Sequence, residues 1–118
     1  MHPMTGRLTH HDGVDVAAPR GTAIPVGRAG VVVRAEKAGG YGNLVVVDHG
    51  DGVQTRYAHC DRLDVVPGQQ LEAGQVVGTV GSTGRSTGPH LHFEVRIEDQ
   101  AVDPSKGPYA DLFPQLGG

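Results

Sequence analysis

The sequence predicts an all-β fold, mostly antiparallel, compact and sandwich- or barrel-like, and three observations predict it. Nineteen Gly and eight Pro occupy 27 of 118 positions, about twice the ordinary share, and leave no stretch free for a long helix. Apolar residues come instead in short Val-rich runs closed by Gly clusters. Where polar and apolar residues alternate, they do so with period two.

The runs can be justified in chain order. Residues 29–37 are rich in Val and end at Gly39-Gly40. Residues 44–49 and 53–59 are two β-type runs joined by Gly50-Asp51-Gly52, a composition that supplies the positive φ angles of a hairpin turn. Residues 75–80 form another apolar run, closed by Gly81. In residues 91–97, Leu91, Phe93, Val95 and Ile97 take one face and His92, Glu94 and Arg96 the other, the pattern of a half-buried strand. Strands at such short intervals, with no helix between them, argue an antiparallel sheet folded on itself.

One domain is the natural count for this length. Ten basic and 13 acidic residues give a formal charge of −3 with no run of one sign, so a basic footprint for nucleic acid is missing. The longest aliphatic stretches, 31–33 and 44–47, are too short to span a bilayer. Met1-His2-Pro3 leads into a polar segment that does not read as a signal peptide. Cys60 is the single cysteine and can form no internal disulfide. The Gly/Ser/Thr stretch 81–88 lacks a Gly-Lys-Ser/Thr core and is followed by Pro89 and a strand, so it is not a phosphate loop.

Seven His in so short a chain are the main chemical signal. In the strand reading, His90 and His92 project from one face while Leu91 enters the core. The pair can ligate one ion, or one ring can ligate while the other works on a substrate; an exposed strand face that merely carries His is the simpler alternative. His11-Asp12-Gly13-Val14-Asp15 is the second element. Extended, His11 and Asp15 would stand about 13 Å apart, and Gly13 with Pro19 disfavours a helix. A tight bend at Asp12-Gly13 would fold Asp15 back toward His11. His10 is a rival donor, but His11 alone has the His-x-x-x-Asp spacing. Two His and one Asp suit an open zinc site, although other divalent ions also fit. His59, in Tyr57-Ala58-His59-Cys60, ends a strand. Beside a metal site it becomes a candidate proton carrier.

The combination of His11-x-x-x-Asp15, Tyr57-Ala58-His59 and His90-x-His92 resembles the lysostaphin-type, or LytM-like, zinc metalloendopeptidases of bacterial cell walls. The flanking segments Gly13-Val14-Asp15-Val16-Ala17-Ala18-Pro19, Gly40-Tyr41-Gly42-Asn43-Leu44 and Gly81 through Val95 carry the same resemblance. It runs from about His2 to Asp103-Pro104. It implies a single lysostaphin-type metallopeptidase domain over residues 1–118, of duplicated hybrid motif fold, with the site in a loop-lined groove.

The resemblance assigns His11, Asp15 and His92 as ligands of one Zn2+ per chain and His59 and His90 as the catalytic pair, without deciding which is the base. It implies hydrolysis of peptide bonds in peptidoglycan cross-bridges or stem peptides by a zinc-activated water, in the periplasm or outside the cell, by a monomer or part of a multidomain chain. The usual Gly/aromatic segment before His2 is missing, so the N-terminal edge is expected to be trimmed. Cys60 stands where the family usually has Leu and is expected to be buried and structural. His49 is expected to be structural, His2 and His10 to be surface residues, and Asn43 and Tyr41 to border the cleft. The alternatives are a non-catalytic cell-wall-binding or hydrolase-activating relative and a sugar-transport phosphocarrier domain, which also uses paired His.

Overall fold

The computed structural model describes residues 8–9, 13–84, 88–104 and 107–116. Ten strands form one branched antiparallel sheet: β1 (Leu8–Thr9), β2 (Gly13–Ala17), β3 (Ala23–Pro25), β4 (Gly30–Lys37), β5 (Asn43–Gly50), β6 (Val53–Leu63), β7 (Gln70–Leu71), β8 (Val76–Val80), β9 (His90–Ile97) and β10 (Gln100–Val102). The main path runs β1-β2-β9-β6-β5-β4-β7, with β10 added to β9, and with β8 joining β6 and carrying β3. The fold is all-β as expected, and the sheet is not closed into a barrel. Among the described residues the only helical pieces are 3-10 turns at Gly39–Tyr41 and Gly107–Leu112. None of the described helices is long and apolar enough to cross a membrane.

The five predicted runs become β4, β5, β6, β8 and β9. The expected hairpin joins β5 to β6, with Gly50, Asp51 and Gly52 all at positive φ. Strand β6 extends past His59 to Leu63, because a register shift between Cys60 and Arg62 lets it leave β9 and continue along β8. Gly13 is the first residue of β2 and pairs with Thr9 of β1; His10, His11 and Asp12, on which the expected bend also rests, lie outside the described residues, as does His2.

The main core gathers Val14, Val16, Ile24, Val45, Val47, Tyr57, Cys60, Leu91, Phe93 and Val95. Phe93 is its centre, 5.4 Å from the Tyr57 ring and 5.1 Å edge-on from Phe113. Burying such a ring contributes about 1.5–3 kcal/mol. A second cluster of Leu44, Val46 and Ala58 lies on the opposite side of the sheet under Ala38 and Tyr41. This is why residues 44–47 read as a continuous apolar run: β5 is covered on both faces.

Strand β9 departs from its sequence reading in the same way. Leu91 through Val95 are all buried, although alternation predicts one wet face. The polar face is dry because Tyr41 lies over it and Tyr41 and Arg96 satisfy Glu94 there, with Arg56 in a longer ion pair.

Cys60 is fully buried, and burial pushes its thiol up to about 12, so it is inert as expected. His49 is structural too. Its Nδ1 donates to the Ala29 carbonyl at 2.9 Å, and Nε2 lies 2.8 Å from the Thr55 hydroxyl, itself 2.8 Å from the Tyr57 hydroxyl. Burial lowers the His49 pKa below the ordinary imidazole value, against the partly compensating Ala29 carbonyl. A His protonated more readily in the unfolded chain stabilises the fold above its unfolded pKa, and that contribution is lost as pH falls through its folded value. Replacing His49 by Gln should therefore cost on the order of 1 kcal/mol at neutral pH. It should also flatten the fall in urea midpoint between about pH 7 and 5, as equilibrium unfolding at several pH values would register.

Candidate functional site

Register builds the site. In the β2–β9 ladder Asp15 pairs with His92 and Ala17 with His90, and in the β6–β9 ladder Ala58 pairs with His92. Side chains directly across an antiparallel ladder stand within contact of one another. Asp15 Oδ1 accordingly lies 2.7 Å from His92 Nδ1 and 3.7 Å from His90 Nε2. Gly13 permits this close pairing, since a Cβ there would collide with the Phe93 carbonyl.

His59 enters by a break in the backbone. Tyr57 and Cys60 both face the main core, which strict alternation from one to the other would forbid. The break falls at His59, which has φ 63°, a left-handed conformation uncommon in residues other than Gly. Its ring centroid then lies 4.8 Å from that of His90 and 6.1 Å from that of His92. Its Nδ1 donates to the Thr83 carbonyl at 2.6 Å, and His90 Nδ1 donates to the Gly88 carbonyl at 2.9 Å. A carbonyl only accepts, so both rings carry the proton on Nδ1 and, when neutral, present a lone pair at Nε2. Burial pushes the His59 pKa below the ordinary value, with the Thr83 carbonyl partly opposing.

The loop residues that hold His59 form their own frame. Thr83 Oγ1 donates to the Cys60 carbonyl at 2.8 Å and accepts from the Asn43 backbone N–H at 3.1 Å, while Asn43 Nδ2 donates to the Cys60 carbonyl at 3.0 Å. Gly42, at φ 67°, lies directly against Thr83 where no Cβ would fit. Sequence reading placed Asn43 and Tyr41 at the cleft border; it did not reach Thr83, Glu94, Arg56 or Arg96. The period-two pattern of 92, 94 and 96 was the available signal for two of them.

Of the five expected site residues, Asp15, His59, His90 and His92 are brought together, and His11 lies outside the described residues. No group of three metal-ligand side chains stands out among the described residues; the expected donors in view are Asp15 and His92. His92 lies between two carboxylates, Asp15 at Nδ1 and Glu94 at Nε2, 2.9 Å away. Burial alone would lower its pKa, but the Glu94 and Asp15 carboxylates raise it above the ordinary value. An imidazole so placed sits where positive charge is favoured, and a cation can take the place of the Nδ1 proton. The donor chemistry, carboxylate oxygen and imidazole nitrogen, fits a borderline divalent metal.

Fold and site together define an all-β protein with an imidazole–carboxylate cluster of metal-ligand type. The chain matches the description Peptidase family M23 over residues 9–104, and it belongs to that family. It is 47% identical over 104 residues to DD-carboxypeptidase/endopeptidase Mpg of Neisseria meningitidis serogroup B, covering 88% of this chain and 24% of that protein. The crystal structure of a zinc containing peptidase from Vibrio cholerae superposes with TM-score 0.78 at 42% identity, over 90% of this chain and 33% of that one. The catalytic domain of lysostaphin from Staphylococcus simulans superposes with TM-score 0.76 at 36% identity, over 80% and 76%. This chain thus spans about a quarter of the length of the curated relative it matches.

The ring geometry makes a direct prediction. At a pH where both rings are neutral, nitrogen-15 shifts should identify His59 and His90 as Nδ1–H tautomers, opposite to the form favoured by free histidine. Nε2–H signals for either ring would contradict the arrangement.

Proposed function

We propose that this chain is a zinc metalloendopeptidase domain that hydrolyses peptide bonds in peptidoglycan cross-bridges or stem peptides. The observation that carries this reading is the convergence of Asp15, His92, His90 and His59, each from a different backbone position, with both outer rings turned to offer Nε2. The chain's likeness to a DD-carboxypeptidase/endopeptidase and to a zinc containing peptidase supports it. The residues of 1–118 act as one domain, in the bacterial cell envelope or outside the cell, alone or as part of a larger chain.

His11, Asp15 and His92 would hold the metal, His92 through Nδ1. Zinc bound there would supply a Lewis acid and a coordinated water of lowered pKa. The chain's own residues do the rest. His59 and His90, each anchored through Nδ1, hold or release a proton at Nε2 on the substrate side. A burial-lowered pKa keeps His59 neutral and able to accept a proton near pH 7. His90 Nε2, 3.7 Å from Asp15 Oδ1, stands where it can donate to a peptide carbonyl that develops negative charge. The shape and loops of the groove decide which peptide bond is admitted.

Incubating the purified chain with peptidoglycan and identifying released fragments by mass tests the reading. Soluble peptide fragments should appear, zinc should be near stoichiometric, and a chelator should abolish the release. His59→Ala or His90→Ala should cost on the order of 10²–10⁴ in turnover with zinc retained, whereas Asp15→Ala or His92→Ala should lose the metal. Undiminished cleavage by a fully chelated protein would sink the proposal.

A further inference from the structure

Behind His92 the polar face of β9 continues into a buried network that the cleavage chemistry above does not use. Glu94 is fully buried, which for a carboxylate is sustained only by direct charge and hydrogen-bond partners. Its Oε2 accepts from His92 Nε2 at 2.9 Å and from the Tyr41 hydroxyl at 3.0 Å. Its Oε1 accepts from Arg96 Nε at 2.9 Å, with Arg96 Nη2 in the same ion pair also 2.9 Å away. Arg56, cross-strand from Glu94, places Nε 3.9 Å from the same Oε1. It also donates from Nη1 to the Tyr41 hydroxyl at 3.3 Å, and its guanidinium lies 5.8 Å from the Tyr41 ring centre. The Tyr41 hydroxyl thus relays between the two: it accepts from Arg56 and donates to Glu94.

We infer that Glu94, braced by Arg96, Arg56 and Tyr41, is a positioning residue that fixes the tautomer and ring plane of His92 so that Nδ1 alone faces Asp15. The inference rests on the reading of Asp15 and His92 as metal ligands. An ionised carboxylate can only accept, so His92 must present Nε2–H to Glu94, and the nitrogen left for a metal is Nδ1. The Arg96 guanidinium and the Tyr41 hydroxyl already donate to Glu94 Oε1 and Oε2, so toward His92 the carboxylate stands as an acceptor. Tyr41 extends the brace to the loop. It closes the Gly39–Tyr41 turn, and the next residue, Gly42, packs on Thr83, whose carbonyl holds His59. One buried carboxylate therefore orients the metal ligand directly and steadies the turn beside the proton carrier.

The test uses the whole chain and zinc itself, with affinity read by competition against a chromophoric chelator. Glu94→Gln should weaken zinc binding by about 10–100-fold, and Tyr41→Phe, which removes one donor and leaves the rest, by less than about tenfold. The zinc-loaded parent should show a proton on His92 Nε2 in long-range nitrogen-15 spectra, a measurement that needs no variant to fold. Metal on Nε2, or a folded Glu94→Gln protein with unchanged zinc affinity, would overturn the inference. A chain that binds zinc with this Glu94 dependence but releases nothing from peptidoglycan would uphold it and contradict the proposed function instead. A parent chain that binds no zinc would end both.

Discussion

The register of β9 between β2 and β6 is the constraint on which the rest depends. Because β9 is paired on both edges, its alternation is fixed twice over, and a slip of one residue on either side would send His92 into the core and Phe93 into the groove. The apolar side secures that register: Leu91, Phe93 and Val95 fill the main core, and Phe93 contacts both Tyr57 and Phe113. The polar side inherits it. Asp15 meets His92 and Arg56 meets Glu94 because Phe93 lies opposite both Val14 and Tyr57.

Burying that polar face is expensive, and the molecule meets the cost with pairing. Burial alone would raise the Glu94 pKa, but hydrogen bonds from His92 and Arg96, the charge of Arg96 and the Tyr41 hydroxyl hold it below the ordinary carboxylate value. His92 is shifted the opposite way by the same contact. The two shifts describe one coupled arrangement in which negative charge below the ring favours positive charge on it. The left-handed His59 is a second local cost, tolerated because Thr83 and Asn43 hold the Cys60 carbonyl just beyond it. Both costs fall around the site, whereas the exposed Arg28–Asp111 pair ties residues away from it.

Much of this was legible in the sequence because it is written in local patterns. Strands β4, β5, β6 and β8 follow from apolar runs and their Gly closures, and β9 from its period-two alternation. The hairpin follows from Gly50-Asp51-Gly52, and the shared face of His90 and His92 from period two. Strands β1, β2, β3, β7 and β10 were not legible, since they form no apolar run closed by Gly and exist through their partners. The double burial of β9 was hidden for a related reason: Tyr41 and Arg56, which cover its polar face, are 53 and 38 positions away from Glu94. The bend expected at Asp12-Gly13 lies largely outside the described residues, and Gly13 itself pairs with Thr9 of β1. For the site, spacing and resemblance named Asp15, His59, His90 and His92, but the bracing of His92 by Glu94 required three-dimensional pairing to see.

The central claim is that these strands hold a metal between Asp15 and His92 Nδ1, with Glu94 fixing the ring from behind. Anomalous diffraction at the zinc edge from crystals of the zinc-loaded chain tests it most directly. The account predicts the principal anomalous peak within bonding distance of Asp15 and His92 Nδ1, with Nε2 still hydrogen-bonded to Glu94. A principal peak elsewhere, for instance among the carboxylates of Asp48, Asp51, Glu98 and Asp99 around the β5–β6 turn, would contradict it.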